Sequence, residues 1–251
     1  MLKIDKPIGV SGKELVVSFD LEWTKNYKIK DGNQPFCFSF IFFELPMALD
    51  TVEKQLDFGF HLRYCESKED ISVLVQEANR ILGEFFQTNT RLTIVGHQLS
   101  SDISVILNCS KDRDSDNFAK LKYFWQNRKR ESEVLQHMQV LDSRYDLDIL
   151  LKNKSRRLVD VCEECHLKVV QPELIFSMTR MQNSFYAIGD LMIMEKLSVL
   201  NIRHSLSVAI LFLMFQEKMM PKKTINTNRI LLRNLSQYFA YVRGKEFNQL
   251  V

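Results

Sequence analysis

The first hundred residues carry apolar positions in runs and in alternation, a pattern that predicts β-strands. Segments 15–23, 35–45 and 58–64 are rich in aromatic and β-branched residues. A polar stretch separates the first two segments, with Asp31-Gly32-Asn33 as the turn signal. Together the three segments predict an antiparallel meander.

Beyond residue 67 the apolar spacing becomes helical, and helices and strands then alternate. Apolar residues from Ile71 to Phe85 define one helical face. A short apolar strand over 92–95 ends at Gly96, and Ser101 opens the next helix. Val140-Leu141 starts a further strand. This alternation is typical of α/β proteins.

The last part of the chain predicts helices over 184–200, 203–219 and 228–242, with Pro221 between the last two. Strands first, then alternation, then helices indicate a mixed sheet flanked by helices. The sequence therefore predicts a single α/β domain.

Domain limits follow from the same pattern. We predict an N-terminal extension over 1–14, a main domain over 15–220, and a C-terminal helix within 221–251 that packs on that domain. The charged segment 111–133 predicts an exposed helix or an insertion.

Composition is typical of a soluble globular protein, with 251 residues, 45% hydrophobic residues, 26% charged residues and a net charge of +3. Five cysteines, an odd number, favour reduced thiols in a cytoplasmic protein. The N-terminus lacks the apolar stretch of a signal peptide. The most apolar run, 208–215, is far shorter than the roughly 20 residues of a membrane span. We therefore expect no membrane segment and a cytoplasmic protein, or a nuclear one in a eukaryote.

Positive charge gathers at the C-terminal end, where residues 201–251 contain eight Lys or Arg against two Glu. A basic end beside an acidic metal site would suit a nucleic-acid substrate. Taken alone, the same charges are more simply explained by a solvated helical surface.

Two carboxylates stand out in the first predicted strand. Asp20 and Glu22 alternate with apolar residues, so both point to one face of the sheet. Neighbouring carboxylates repel unless a cation lies between them. Hard divalent ions such as Mg²⁺ and Mn²⁺ prefer oxygen ligands of this kind. Exposed acids at a strand end are the ordinary alternative.

Three further residues could complete such a site. Asp102 lies at the first turn of a helix, where an acid is favoured by the helix dipole. Tyr186 and Asp190 are four residues apart on a predicted helix, so they would share a face. His97, next to Gly96, would lie near the same site.

In combination, these motifs resemble those of the DEDD exonucleases, in the branch with tyrosine in the third motif. The resemblance covers about residues 15–200 and includes Asp142-Ser143-Arg144-Tyr145-Asp146 after a predicted strand. It implies a ribonuclease-H-like fold with three α/β/α layers. The chain departs from the family at Gln98, where the family usually has Asn after Gly-His.

The resemblance also implies a reaction. Two Mg²⁺ or Mn²⁺ ions would hold the scissile phosphate, with Asp20, Glu22, Asp102 and Asp190 as ligands and Tyr186 positioning the attacking water. The product would be a nucleoside 5′-monophosphate from the 3′ end of single-stranded DNA or RNA.

Residues expected to contact the substrate are His97, Gln98 and Trp23, since an aromatic ring near the site could stack a terminal base. Two alternatives stay open at this point. One is a nuclease-fold module that binds nucleic acid or acts as a scaffold without catalysis, and the other is an endonuclease on the same fold. No residue distinguishes DNA from RNA.

Overall fold

The structure is a computed structural model, and it describes residues 1–9, 12, 14–26, 32–45, 47–88, 90–110, 116–129, 137–146, 157–217 and 221–251. The turn predicted at 31–33, the charged segment 111–133 and the end of the helix predicted over 203–219 lie partly outside these residues.

Eight strands are present in the described residues: β1 Leu2–Lys6, β2 Glu14–Thr24, β3 Gln34–Leu45, β4 Gly59–Tyr64, β5 Arg91–Gly96, β6 Met138–Asp142, β7 Leu167–Lys168 and β8 Ile225–Asn226. The same residues form ten helices: α1 Val52–Gln55, α2 Ile71–Phe86, α3 Leu99–Cys109, α4 Asp116–Asn127, α5 Leu158–Glu164, α6 Met178–Ile188, α7 Leu191–Glu217, α8 Thr227–Leu235, α9 Ala240–Arg243 and α10 Lys245–Asn248.

Six strands form one mixed sheet in the order β1-β4-β3-β2-β5-β6. β3 is antiparallel to β2 and β4, so the predicted meander is confirmed. β2, β5 and β6 are parallel to one another. The carboxyl ends of these three strands therefore meet at one edge of the sheet, where open α/β sheets usually bind ligands.

Helices cover both faces of this sheet. On β2, Ser18 donates a hydrogen bond to the carbonyl oxygen of Ser205 in α7, whereas Phe19 packs on Phe118 of α4 on the opposite face. α2 shares the second face, since Phe85 packs on Phe40 of β3. The predicted mixed sheet, flanked by helices in one α/β domain, is confirmed.

The long helix α7 is the centre of the fold. By length and composition alone it could cross a membrane, but 94% of its apolar window is buried inside the protein. It packs on β2 and β3 as a core helix. The apolar run 208–215 therefore lies inside a buried helix.

Helix limits in the second half differ from the prediction. The break falls at Gly189, which ends α6 in a left-handed conformation with φ 66°. α7 then runs without interruption through residues 201–203. The helix predicted over 228–242 is two helices, α8 and α9, because Phe239 turns into the core between them.

Residues 2–6, which the sequence assigns to an extension outside the domain, instead form edge strand β1. They pair antiparallel with β4, and Leu2 and Ile4 pack against the core. Five residues of alternation are too few to distinguish this strand from a polar tail in the sequence.

Three arginines near the C-terminus, Arg203, Arg229 and Arg233, bind other parts of the chain. Arg229 pairs with Glu53 at 3.0 Å, and Arg233 donates to the carbonyl oxygens of Glu53 and Leu56. Arg203 is fully buried, so it is not part of a solvated surface. These three arginines support the fold rather than forming a free basic face.

A buried ion pair holds α7 in place. The Arg203 guanidinium donates to both carboxylate oxygens of Glu173 at 2.7 Å, and both side chains are 0% exposed. Asn228 of α8 accepts from Arg203 Nε at 2.8 Å, and the Tyr241 hydroxyl of α9 donates to Glu173 at 2.9 Å. The pair therefore connects α7 to both C-terminal helices.

Glu173→Gln should destabilise the protein strongly, because it leaves Arg203 buried without its counter-charge. Breaking a buried pair in this way typically lowers the free energy of unfolding by about 3–5 kcal/mol. Chemical denaturation would measure the change. Glu84→Gln, the same substitution in the exposed Arg80–Glu84 pair, is the control and should have almost no effect. Similar losses in the two variants would contradict this account.

Candidate functional site

The carboxyl end of β2 places two acids on the face that α7 covers. Asp20 and Glu22 both contact α7. Ser18, two residues earlier on the same face of the strand, also contacts α7. Asp20 is 8% exposed, and Glu22 is half-buried. The prediction that these two carboxylates share a face is confirmed.

α7 brings two polar side chains to these acids. Asn201 Nδ2 donates to Asp20 Oδ2 at 2.6 Å. His204 Nδ1 lies 2.9 Å from Glu22 Oε1 and 3.6 Å from Asp20 Oδ2. Ligand atoms of Asp20, Glu22 and His204 all lie within 4.8 Å of one another, a spacing that allows one metal ion to contact all three.

Asp102 joins the two acids from α3, on the other side of the sheet edge. It lies in the first turn of that helix and is 3% exposed. Its strongest electrostatic neighbours are Asp20 and Glu22. Three of the four predicted acids are therefore near enough for their charges to interact, although Asp102 lies outside the group of ligand atoms that Asp20, Glu22 and His204 form.

The start of α3 is fixed by Asp142 at the end of β6. Its carboxylate accepts the backbone N–H groups of Gln98 at 2.8 Å and Leu99 at 2.9 Å, and the indole N–H of Trp125 at 3.0 Å. The first amides of a helix have no partner within the helix, so a carboxylate stabilises them. Asp142 thus positions the turn that carries Asp102.

His97 and Gln98 are held by neighbouring side chains. His97 Nδ1 lies 2.8 Å from Ser143 Oγ. The Gln98 amide donates to Ser101 at 2.8 Å and accepts from Arg144 at 3.0 Å. Gln98 also has a φ of 59°, a left-handed conformation that is uncommon outside glycine. Such backbone strain is often found at functional sites.

A cavity of about 620 Å³ is lined by residues that follow β2 and by residues at the start of α3. Its lining includes Trp23, Lys25, Gln98 and Ser101, which are close in sequence to the acids. The volume lies in the range of small-molecule sites. Two of the three residues predicted to contact the substrate, Trp23 and Gln98, therefore line one cavity.

Burial and mutual repulsion perturb the ionisation of the cluster. Burial and then the Asp20 charge raise the pKa of Glu22. Burial, followed by the charges of Asp20 and Glu22, raises the pKa of Asp102 well above its usual value. Burial alone would lower the pKa of His204, but hydrogen bonds to Asp20 and Glu22 raise it to about 10. A protonated His204 therefore supplies positive charge to the acids.

Two buried oxygens of this cluster have no hydrogen-bond partner among the described residues: Asp102 Oδ2 and Asn201 Oδ1. Buried polar atoms nearly always have a partner, so an exception indicates a missing ligand or water. Carboxylate and amide oxygens with one imidazole nitrogen are suitable ligands for a divalent cation. The residues present therefore fit a metal ion.

Asp190 lies outside the cluster, which corrects its predicted role as a ligand beside Asp20 and Glu22. It is exposed, and its Oδ1 accepts the Met192 N–H at 2.9 Å at the start of α7. From 190 to 204 an α-helix rises about 21 Å. Since His204 contacts Glu22, Asp190 is too far away to bind the same ion.

Tyr186 lies near Tyr64 and Cys65, and no described contact joins it to Asp20, Glu22 or Asp102, so its role beside the metal stays a prediction. Burial raises its pKa to about 12, and Cys65 is among its neighbours. Across the sheet, Glu22 pairs with Cys37, and Cys37 pairs with Tyr64. Cys65 is therefore two strand spacings, about 10 Å, from Glu22. The helix break at 189 also separates Tyr186 from Asp190.

Neither His204 nor Asn201 is among the residues predicted from the sequence. A signal was present, because Asn201, His204 and Ser205 are spaced three and four apart on an otherwise apolar helix. A polar stripe on a buried helix needs partners. A lone histidine in such a helix is more often a hydrogen-bonded core residue, so this signal is weak without the structure.

Comparison with models of protein families gives no match for this chain. Comparison with curated proteins gives no match either. A functional proposal therefore depends on the geometry of the site.

The metal-free protein should lose stability as the pH rises. His204 titrates near pH 10 when folded instead of 6.5, so its stabilising charge is complete below pH 6.5 and is lost towards pH 10. The pKa of Asp102 is raised above 3.8, so its ionisation also favours the unfolded chain as the pH rises.

Thermal unfolding in EDTA between pH 5 and pH 9 would measure this dependence. Asp102→Asn should raise the Tm at pH 8. The Tm of this variant should still decrease with rising pH, because His204 still loses its proton. Asp50→Asn, which neutralises an exposed acid, should show the same dependence of the Tm on pH as the parent protein. A Tm that increases between pH 6 and pH 8 in the parent would be inconsistent with the buried cluster.

Proposed function

We propose that this chain is a metal-dependent 3′–5′ exonuclease that hydrolyses phosphodiester bonds at the 3′ end of single-stranded DNA or RNA. The observation that carries the proposal is the clustering of Asp20, Glu22 and His204 at the carboxyl end of β2, with Asp102 close enough for the charges of both acids to act on it. The ribonuclease-H-like fold and the 3′–5′ direction enter through the resemblance to DEDD exonucleases, whose first two motifs contain these three acids.

The ion expected at this site is Mg²⁺ or Mn²⁺. When bound, such an ion stabilises charge on the scissile phosphate and lowers the pKa of a bound water. Asp20 and Glu22 would hold it, with His204 and the unpartnered oxygens of Asp102 and Asn201 beside them. The described ligand set accounts for one ion, so the second expected ion stays a prediction.

The protein's own residues prepare the acids before any ion binds. Asn201 holds one oxygen of Asp20, and Asp142 fixes the helix start that carries Asp102. Preorganised ligands of this kind lose little freedom on binding, which favours a defined geometry for the reacting phosphate.

The adjoining cavity supports a nucleotide as the bound group. Trp23 offers a flat ring on which a base can stack, and Lys25 offers a positive charge for a phosphate. Ser100 and Ser104, which also line the cavity, offer hydroxyl groups for a sugar. This combination suits a single-stranded end better than an apolar ligand.

A nuclease-fold module that binds nucleic acid without cutting it is the second candidate. His204 favours it, because an imidazolium 2.9 Å from Glu22 can balance the charge of the acids in place of a cation. The remote position of Asp190 favours it too, because the expected set of four acids is incomplete. Product formation that depends on a metal distinguishes the two candidates.

A 5′-labelled oligonucleotide, as DNA and as RNA, should shorten from its 3′ end with Mg²⁺ or Mn²⁺ and not with EDTA. Asp20→Asn and Asp102→Asn should each lower the rate by about 10³-fold, because each removes charge from the metal site. Asp190→Asn makes the same substitution at a remote acid and should keep the parent's rate.

Two outcomes would change the assignment. Loss of activity in Asp190→Asn would return that residue to the catalytic site. If neither metal supports cleavage but the protein still binds the oligonucleotide, the second candidate, a module that binds nucleic acid without cutting it, would be the correct assignment.

Trp23→Ala should weaken oligonucleotide binding by about 1–3 kcal/mol, the usual contribution of one base stacked on an aromatic ring. Fluorescence anisotropy in the Asp102→Asn background, which suppresses cleavage, would measure the dissociation constant. Tyr123→Ala removes a ring that is 58% exposed on α4 and serves as the control. Equal effects of both substitutions would argue against stacking in the cavity.

A further inference from the structure

One ligand position at the candidate site is nitrogen rather than oxygen. His204 Nδ1 lies among the ligand atoms of Asp20 and Glu22, all within 4.8 Å of one another. The two unpartnered atoms of the cluster, Asp102 Oδ2 and Asn201 Oδ1, are oxygens. The relative affinity of this site for different divalent ions therefore depends on the single imidazole ligand.

We propose that this centre binds a transition-metal ion of the Mn²⁺, Co²⁺ or Zn²⁺ class through Asp20, Glu22 and His204 Nδ1, and that it discriminates against Mg²⁺. The inference rests on the metal site of the proposed function and specifies its ion. It assigns His204 as a ligand, in the place where the sequence predicts the carboxylate of Asp190.

Ligand chemistry supports this selectivity. Mg²⁺ binds carboxylates and water, keeps a strict octahedral shell and dehydrates reluctantly. Imidazole nitrogen is a good ligand for first-row transition metals, and their affinity for mixed nitrogen and oxygen sites rises from Mn²⁺ towards the end of the series. Replacing one carboxylate by imidazole thus removes charge that Mg²⁺ needs and adds a ligand that Mn²⁺ and Zn²⁺ bind well.

The second ring nitrogen of His204 has the partner that a ligating histidine requires. Metal-binding histidines usually donate their other N–H to a fixed acceptor, which sets the tautomer. The Gln171 amide nitrogen, Nε2, lies 2.8 Å from His204 Nε2, and a half-turn of this side-chain amide places its oxygen there instead. With its oxygen turned to the ring, the amide accepts the Nε2–H, and a metal ion at Nδ1 replaces the proton that this nitrogen carries in the metal-free protein.

Two unpartnered oxygens provide an independent indication of a ligand. Asp102 is 3% exposed and Asn201 is 0% exposed, and each has one oxygen without a partner among the described residues. The ion pair between His204 and Glu22 leaves both of these oxygens unsatisfied. A hydrated cation among the acids would satisfy them directly or through its water molecules.

Isothermal titration of the metal-free protein with MnCl₂ and MgCl₂, without nucleic acid, tests the proposal. Mn²⁺ should bind at least about tenfold more tightly than Mg²⁺. His204→Asp creates an all-carboxylate set and should remove most of this preference. His137→Asp, the same substitution at an exposed histidine outside the site, should leave the preference unchanged.

Pulsed electron paramagnetic resonance of Mn²⁺ bound to the unmodified protein gives a second readout that needs no variant to fold. Coupling to a histidine nitrogen is expected, and His204→Asp should abolish it. Equal affinities for the two ions, no binding, or bound Mn²⁺ without nitrogen coupling would overturn the proposal.

These measurements also separate the inference from the proposed function. A Mn²⁺-selective centre in a protein that cleaves no oligonucleotide would uphold the inference and refute the exonuclease. An active exonuclease whose bound Mn²⁺ shows no nitrogen coupling, and which binds Mn²⁺ no more tightly than Mg²⁺, would uphold the proposed function and refute the inference.

Discussion

The arrangement of this protein depends on one constraint, the burial of several carboxylates at a single edge of the sheet. Asp20 and Asp102 are almost inaccessible, and Glu22 lies beside them. Buried charges of like sign are unfavourable unless a positive charge lies among them. α7 contributes His204 for this purpose, and two oxygens nearby still lack partners. The site is therefore built to receive positive charge, and a divalent ion meets that requirement better than one imidazolium.

The fold holds this cluster from three directions. β2 sets the spacing of two acids, and the end of β6 anchors the helix that carries the third through Asp142. α7 is fixed by the fully buried pair between Arg203 and Glu173, one residue before His204. Because this pair prevents α7 from rotating about its axis, it also determines which side of the helix faces the acids.

The functional proposal joins a partial resemblance to an altered ligand set. The motifs around Asp20, Glu22 and Asp102 resemble those of DEDD exonucleases, and the structure gathers these residues. The acid of the third motif, Asp190, lies away from them, and His204 takes the fourth position. Three carboxylates carry less negative charge than four, so this set balances one divalent ion more readily than two. The presence of His204 in place of Asp190 thus affects both which ion the site prefers and how many ions it can hold.

Local patterns in the sequence determined the strands β2 to β4, the helix α2 and the shared face of Asp20 and Glu22, because alternation and helical spacing set which side chains lie together. They also placed Asp102 at a helix start. Tertiary structure alone decided that β1 joins the sheet, that Arg203 is buried and that His204 rather than Asp190 meets the acids. Helical spacing defines the face of a helix but not its partner. Tyr186 and Asp190 fit the expected spacing, yet Gly189 ends one helix between them, and the docking of α7 places residues 201–205 at the site.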